Sequence, residues 1–289
     1  MNLFMTVTGV IYTMLLFDIV PTLGCDLNCR HCIQRANICS LQDIYPIDQF
    51  KKDYDHLAPM INSNHVYITF MGGEPYAYKD LRQMVEYCKE KTPNTPLRIF
   101  SNLKWLSHAD ESHYQWLHDN NILLIYTYYT KPIMDGTIDY VRFRELIQKY
   151  DIQTNDMSGK GAILMLYSLS IKQPGRCNFL SFKYTKKEPS KVNNLTSTLC
   201  CNADVVKLFR GKIYTLTCGP AIDQVDKKYG TDYASKLIEN CDWYDVHKLN
   251  NFNEIQRKHE FCAKHCKLCS LEPWEQCTNA PKEDYILDS

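Results

Sequence analysis

Cys25-Asp26-Leu27-Asn28-Cys29-Arg30-His31-Cys32 spaces three cysteines as C-x3-C-x2-C. Three thiolates this close in sequence can wrap one iron–sulfur cube, and a closed [4Fe-4S] cluster takes four cysteines. No fourth cysteine stands nearby in a comparable pattern; Cys39 is a spare. One iron would therefore keep an open position. Zinc held by the same cysteines with His31 satisfies the spacing as well, so spacing alone leaves the metal open.

The position of the triad narrows this. Residues 12–20 are rich in bulky apolar side chains, end at Pro21 and predict a first buried strand. The triad follows, at the C-terminal end of that strand, where α/β folds place their sites. Helical spacing over residues 46–60, 79–91, 111–120 and 139–150 alternates with short β-rich runs at 65–70, 96–101, 122–128 and 162–169. This alternation predicts a parallel sheet with crossover helices. Five or six βα units fit, too few for an eight-unit barrel. The expected fold class is therefore α/β, a partial (β/α)6 TIM-like barrel over residues 1–175, followed by a small Cys-rich α+β domain over 176–289.

Gly72-Gly73-Glu74-Pro75 closes the second predicted strand. Two glycines allow a ligand to approach the backbone with no Cβ in the way. Exposed N–H and C=O groups there would suit the ammonium or carboxylate of an amino acid. Alone, the tetrapeptide also fits a plain tight turn. About forty residues behind the cysteine triad, on the next strand of one sheet, it becomes specific.

Together the two motifs resemble the radical S-adenosylmethionine (radical SAM) superfamily over roughly residues 12–170. The resemblance implies a catalytic [4Fe-4S] cluster on Cys25, Cys29 and Cys32, with S-adenosylmethionine (AdoMet) chelating the open iron. Reductive cleavage would then produce a 5′-deoxyadenosyl radical that abstracts hydrogen from a peptide or a small polar substrate, with oxidation, crosslinking or epimerisation as the outcome. Gly72, Gly73, Glu74 and Pro75 match the segment that holds the methionine amino group. His31 matches an aromatic position near the adenine. Ser101, Asn102 and Thr127 fall at strand ends where polar contacts to ribose and carboxylate occur; strand-end capping is their alternative role. An electron donor of flavodoxin or ferredoxin type is the implied partner.

Fourteen cysteines are many for 289 residues. Cys200, Cys201, Cys218, Cys241, Cys262, Cys266, Cys269 and Cys277 all follow residue 175. Residues 205–217 read as a hairpin turning at Arg210-Gly211, which brings Cys201 and Cys218 together, and Cys266 and Cys269 supply a second pair. This is similar to the SPASM and twitch auxiliary-cluster extensions of radical SAM enzymes and implies one further [4Fe-4S] cluster. Cys200 can stand in for Cys201, and Cys262 for Cys266 or Cys269; structural zinc is the competing occupant.

The 33 basic and 33 acidic residues cancel, which argues against nucleic acid and against an anionic membrane surface. No basic region precedes the apolar N-terminal run and Asp18 interrupts it, so the sequence reads as cytoplasmic and the thiols as reduced. A metal-stapled scaffold without catalysis is the other functional class. The intact triad beside an intact Gly-Gly-Glu-Pro argues against it.

Overall fold

The computed structural model describes residues 5–7, 10–12, 15–27, 34, 36, 39–127, 136–156, 205–215, 219–221, 224, 227 and 243–255. The apolar N-terminal run forms two elements rather than one. β2 (Val10–Tyr12) pairs antiparallel with β1 (Met5–Val7), and β3 (Leu15–Ile19) enters the main sheet. Then follow α1 (Ile47–Asn62), β4 (Val66–Phe70), α2 (Leu81–Lys91), β5 (Leu97–Ser101), α3 (Glu111–Asp119), β6 (Leu123–Tyr126), α4 (Tyr140–Lys149) and β7 (Thr154–Asp156). The alternation therefore places these helices and strands within a few residues of their expected bounds. β7 escapes the pattern because its Thr-Asn-Asp carries no apolar residue and lies at the sheet edge. The strand expected at 162–169 and the boundary near residue 175 lie outside the described residues.

β8 (Val205–Phe209), β9 (Lys212–Tyr214) and β10 (Trp243–Asp245) complete one sheet in the order β10-β9-β8-β3-β4-β5-β6-β7. The strands from β8 to β7 in that order run parallel, and β9 and β10 add antiparallel. The 205–217 hairpin thus continues the sheet beside β3. Its turn has Arg210 at φ 49° and Gly211 at φ 75°, the paired left-handed geometry that matches strand twist.

The four described α-helices cover one face of the sheet. Phe50, Tyr54, Leu57 and Ile61 of α1 recur at helical spacing and are buried, as are Leu81, Met84, Val85 and Cys88 of α2. They pack in one core with Phe17, Ile19, Ile68, Phe70, Ile99, Leu124 and Tyr126. Asp110 and Asp139 cap α3 and α4 by accepting from the backbone N–H of His113 and Arg142. Tyr126 packs edge-to-face on Phe143 in this core. Alternate residues of the strands face the other way. Asp18, Thr69 and Arg98 share that second face, where Ile125 packs with Phe100 and Leu123.

Asp53 joins the hairpin end of the sheet to the helices. Its buried carboxylate accepts from Tyr45 Oη at 2.5 Å and from His247 Nε2 at 2.9 Å. His247 lies in the helical turn Val246–Lys248, whose Val246 N–H donates to Gly211 O. Arg210 Nε donates to Ile44 O at 2.8 Å. Asp53→Ala strips the acceptor from Tyr45, which stays buried, and should lower stability by about 2–4 kcal/mol. Denaturant melts should show that loss, with hydrogen exchange accelerated in residues 243–255. Gly211→Ala, strained by its positive φ and meeting only the flexible Gln49 Nε2 at 3.2 Å, should cost about 1 kcal/mol.

Candidate active site

The loop that carries Cys25 is clamped at its base. Leu23 N–H donates to Asp43 O, Tyr45 N–H donates to Pro21 O, and Thr22 bridges Ile44. On its other side the segment meets the Gly-Gly-Glu-Pro turn, where Gly73 N–H donates to Thr22 O at 2.8 Å and Glu74 N–H to Gly24 O at 2.9 Å. This corrects one expectation. The N–H groups of Gly73 and Glu74 are occupied by the cysteine loop and are not exposed to a ligand. The glycines serve that contact: a Cβ on Gly73 would stand 1.8 Å from Gly24 O, and one on Gly24 would stand 2.4 Å from Leu41 backbone. Within the turn, the carbonyls of Glu74 and Pro75 accept from Ala77 and Tyr78 N–H.

Glu74 is buried and faces the end of β5. Its Oε2 accepts from Asn102 N–H at 2.7 Å, and its Oε1 accepts from Ser101 Oγ at 3.1 Å and Tyr76 N–H at 3.2 Å. Burial pushes its carboxyl up to about 8, against the lowering effect of these donors and with a smaller upward contribution from Asp26. Glu74 therefore holds two strand ends in register and presents Asn102. Asn102 Nδ2 in turn donates to Cys25 Sγ at 3.5 Å and to Asp26 Oδ1 at 3.1 Å. Asp26 pairs with Lys104 Nζ at 3.1 Å.

Ser101 ends β5 with Asn102 just beyond it, and Thr127 joins the same rim through its N–H to Ser101 O at 3.2 Å. Pro75 opens a helical turn, Pro75–Ala77, below the rim. Asp26 and Lys104 were missed. Asp26 lay in the quoted motif but reads as loop, and Lys104 comes within reach only because Leu103 takes a φ of 70°. The available signal was the Asn102 turn, in which Asn102 Oδ1 accepts from Lys104 N–H.

Cys29, Cys32, His31, Cys201, Cys218, Cys266 and Cys269 lie outside the described residues. Among the described residues no three metal-ligating side chains converge. Of the described thiols, Cys25 alone is partly exposed, whereas Cys39 and Cys88 are buried. Burial pushes the Cys88 thiol far above its ordinary range. Among the described residues no helix is long and apolar enough to cross a membrane.

Residues 19–126 match the Radical SAM superfamily. Residues 19–126 of the chain thus carry a radical SAM domain. The matched segment spans β3 to β6 and takes in every described rim residue except Thr127. Among solved structures, BtrN in complex with AdoMet and 2-DOIA is 15% identical, with 92% of this chain and 98% of that chain covered at a TM-score of 0.52. That likeness supports the partial barrel with its helices on one face. Native anSMEcpe with bound AdoMet and Cp18Cys peptide is 21% identical over 50% of this chain, at a TM-score of 0.39. This chain spans less than half, 42%, of the length of anSMEcpe. Streptococcus suis SuiB bound to precursor peptide SuiA is 12% identical over 73% of this chain and 61% of that chain, at a TM-score of 0.37. No curated protein matches the chain.

Two outcomes follow from the rim. Gly73→Ala cannot keep the Gly24 contact and should cost several kcal/mol, about 3 or more, in chemical denaturation. The raised Glu74 carboxyl means that the folded state carries the extra proton between about pH 4.5 and 8. Stability from this group is therefore present below that window and is lost as pH rises through it. Thermal midpoints across about pH 5.5 to 8.5 should fall for the wild type relative to Glu74→Gln. A gap that stays constant across this range would show Glu74 ionised throughout.

Proposed function

We propose that this chain is a radical SAM enzyme that cleaves AdoMet reductively at a [4Fe-4S] cluster on Cys25, Cys29 and Cys32, and takes hydrogen from a peptide or small polar substrate. The observation that carries the reading is the rim: a partly exposed Cys25 thiol, hydrogen-bonded by Asn102, directly against the Gly72-Gly73-Glu74 turn. These residues fit the group. The cysteine is open at the C-terminal end of the parallel sheet while the other described thiols are sealed in the core. When bound, the cluster with AdoMet supplies the electron that breaks the sulfonium C–S bond and the means of hydrogen abstraction.

The chain's own residues position and shield. Asn102 Nδ2 offers an N–H to the Cys25 sulfur, which favours the thiolate a metal needs. The Asp26–Lys104 pair fixes the loop next to it. Glu74 sets the height of Asn102 relative to the turn. The second face of the sheet, free of the described helices, provides the wall against which a substrate is held away from water.

The second half of the proposal is an auxiliary [4Fe-4S] cluster on Cys201, Cys218, Cys266 and Cys269, supported by the β8–β9 hairpin between the first two of these positions. An electron donor of flavodoxin or ferredoxin type completes the system. Anaerobic reconstitution should give about eight irons and eight sulfides per chain for two cubes, and about four for one. Dithionite reduction with AdoMet should release 5′-deoxyadenosine. Cys25→Ala should abolish that release, and Cys266→Ala with Cys269→Ala should remove one cube and leave the other. A preparation that binds only zinc, or never cleaves AdoMet, would refute the reading.

A further inference from the structure

Four consecutive strands place a polar row across the second face of the sheet. Lys207 of β8 is in register with Asp18 of β3, Asp18 with Thr69 of β4, and Thr69 with Arg98 of β5. Partnered positions on parallel strands point the same way, and the helices occupy the opposite face. The row divides into two halves. Asp18 Oδ2 lies 3.5 Å from Lys207 Nζ, which also donates to Gln34 Oε1. Arg98 is held by neutral groups: its Nε and Nη2 donate to Thr69 Oγ1 at 3.0 and 2.7 Å, and its guanidinium lies 5.0 Å over the Tyr67 ring.

No ion pair to Arg98 occurs among the described residues. Thr69 and Tyr67 fix the plane of the guanidinium and take its inner side, so the end-on edge formed by Nη1 and Nη2 has no acceptor there. A half-buried guanidinium costs desolvation energy that a hydroxyl and a ring only partly offset. That burial pulls its pKa down, with Asp18 opposing. Such a fork, pre-oriented and lacking its acid, matches the geometry of bidentate carboxylate capture.

We propose that Arg98, braced by Thr69 and Tyr67, binds a carboxylate group of the substrate on the face of the sheet opposite the described helices. A carboxylate suits the site better than a phosphate. Asp18 stands two strands away in the same row, and a second negative charge on the ligand would meet its field. Arg98 precedes Asn102 by four residues on the same strand line, which separates the fork from the rim by about 13 Å. Phe100, Leu123 and Ile125 line the space beside it. The substrate would therefore reach from an anchored carboxylate along an apolar wall toward the Cys25 rim. This placement rests on the radical SAM reading for its meaning, but the anion site itself can be tested without it.

The probe is succinate, with succinamide as its uncharged counterpart, titrated calorimetrically into the anaerobically reconstituted full chain. Succinate should bind the wild type, weaken by about tenfold or more in Arg98→Gln, and weaken less in Arg98→Lys, which keeps the charge but not the fork. Succinamide should give no binding. Saturating AdoMet should leave succinate bound, because the site belongs to the substrate. If Arg98→Gln does not fold, judged by circular dichroism, Arg98→Lys and the succinamide comparison carry the test. Equal affinity in wild type and variants, no binding to wild type, or displacement by AdoMet would overturn the proposal. Failure to release 5′-deoxyadenosine would instead refute the enzymatic reading and leave the succinate result standing.

Discussion

The contact between the backbones of residues 22–24 and 72–74 organises the candidate site. It joins the loop after β3 to the loop after β4 with two hydrogen bonds, and only glycine at positions 72 and 73 lets the chains come that close. Leu41 backbone closes the opposite side of Gly24. A segment pinned from both sides gives Cys25 a fixed departure point, although the cysteine itself begins a loop. Rigidity of this kind matters where a thiolate must meet a cluster and a nucleotide together. Glu74 extends the same constraint to β5 through Asn102 and Ser101, so consecutive strand ends act as one unit.

The sheet keeps its two faces distinct by simple alternation. Residues such as Ile68 and Ile99 pack under helices, and their neighbours Thr69 and Arg98 turn to the other side. Strands in this sheet are consequently near-continuous in burial, as Phe17, Asp18 and Ile19 show, yet chemically two-sided. Polar residues in the middle of a buried strand are costly unless partnered. Asp18 finds Lys207 and the field of Arg98; Thr69 finds Arg98. The polar row is thus part of the design of that face, and it lies between the rim chemistry and the interior.

Much of this was legible from the chain. Helical spacing in 46–60 and 79–91 marked α1 and α2, since a one-sided apolar stripe has few other solutions. Arg210-Gly211 marked the hairpin, because a pair of left-handed residues favours a glycine at the second position. The glycines at 72 and 73 also serve a contact within the chain. Sequence shows that a close approach is allowed, but not what approaches, and here it is Gly24. β7 was invisible, having no apolar residue to reveal it. The pairing of β8 beside β3 was also hidden, because residues nearly two hundred positions apart leave no local trace of their register.

The sequence by itself determined the chemistry on offer: three spaced thiols, a Gly-Gly-Glu-Pro turn, and alternating strand and helix patterns that require a parallel sheet. These are local properties, written in side-chain type and spacing. Only the tertiary structure decided that Glu74 serves β5, that Asn102 touches the Cys25 sulfur, and that Arg98 shares a face with Asp18 but not its charge. Such relations arise from register and crossover between distant strands, which depend on how the whole core packs rather than on any short stretch of chain.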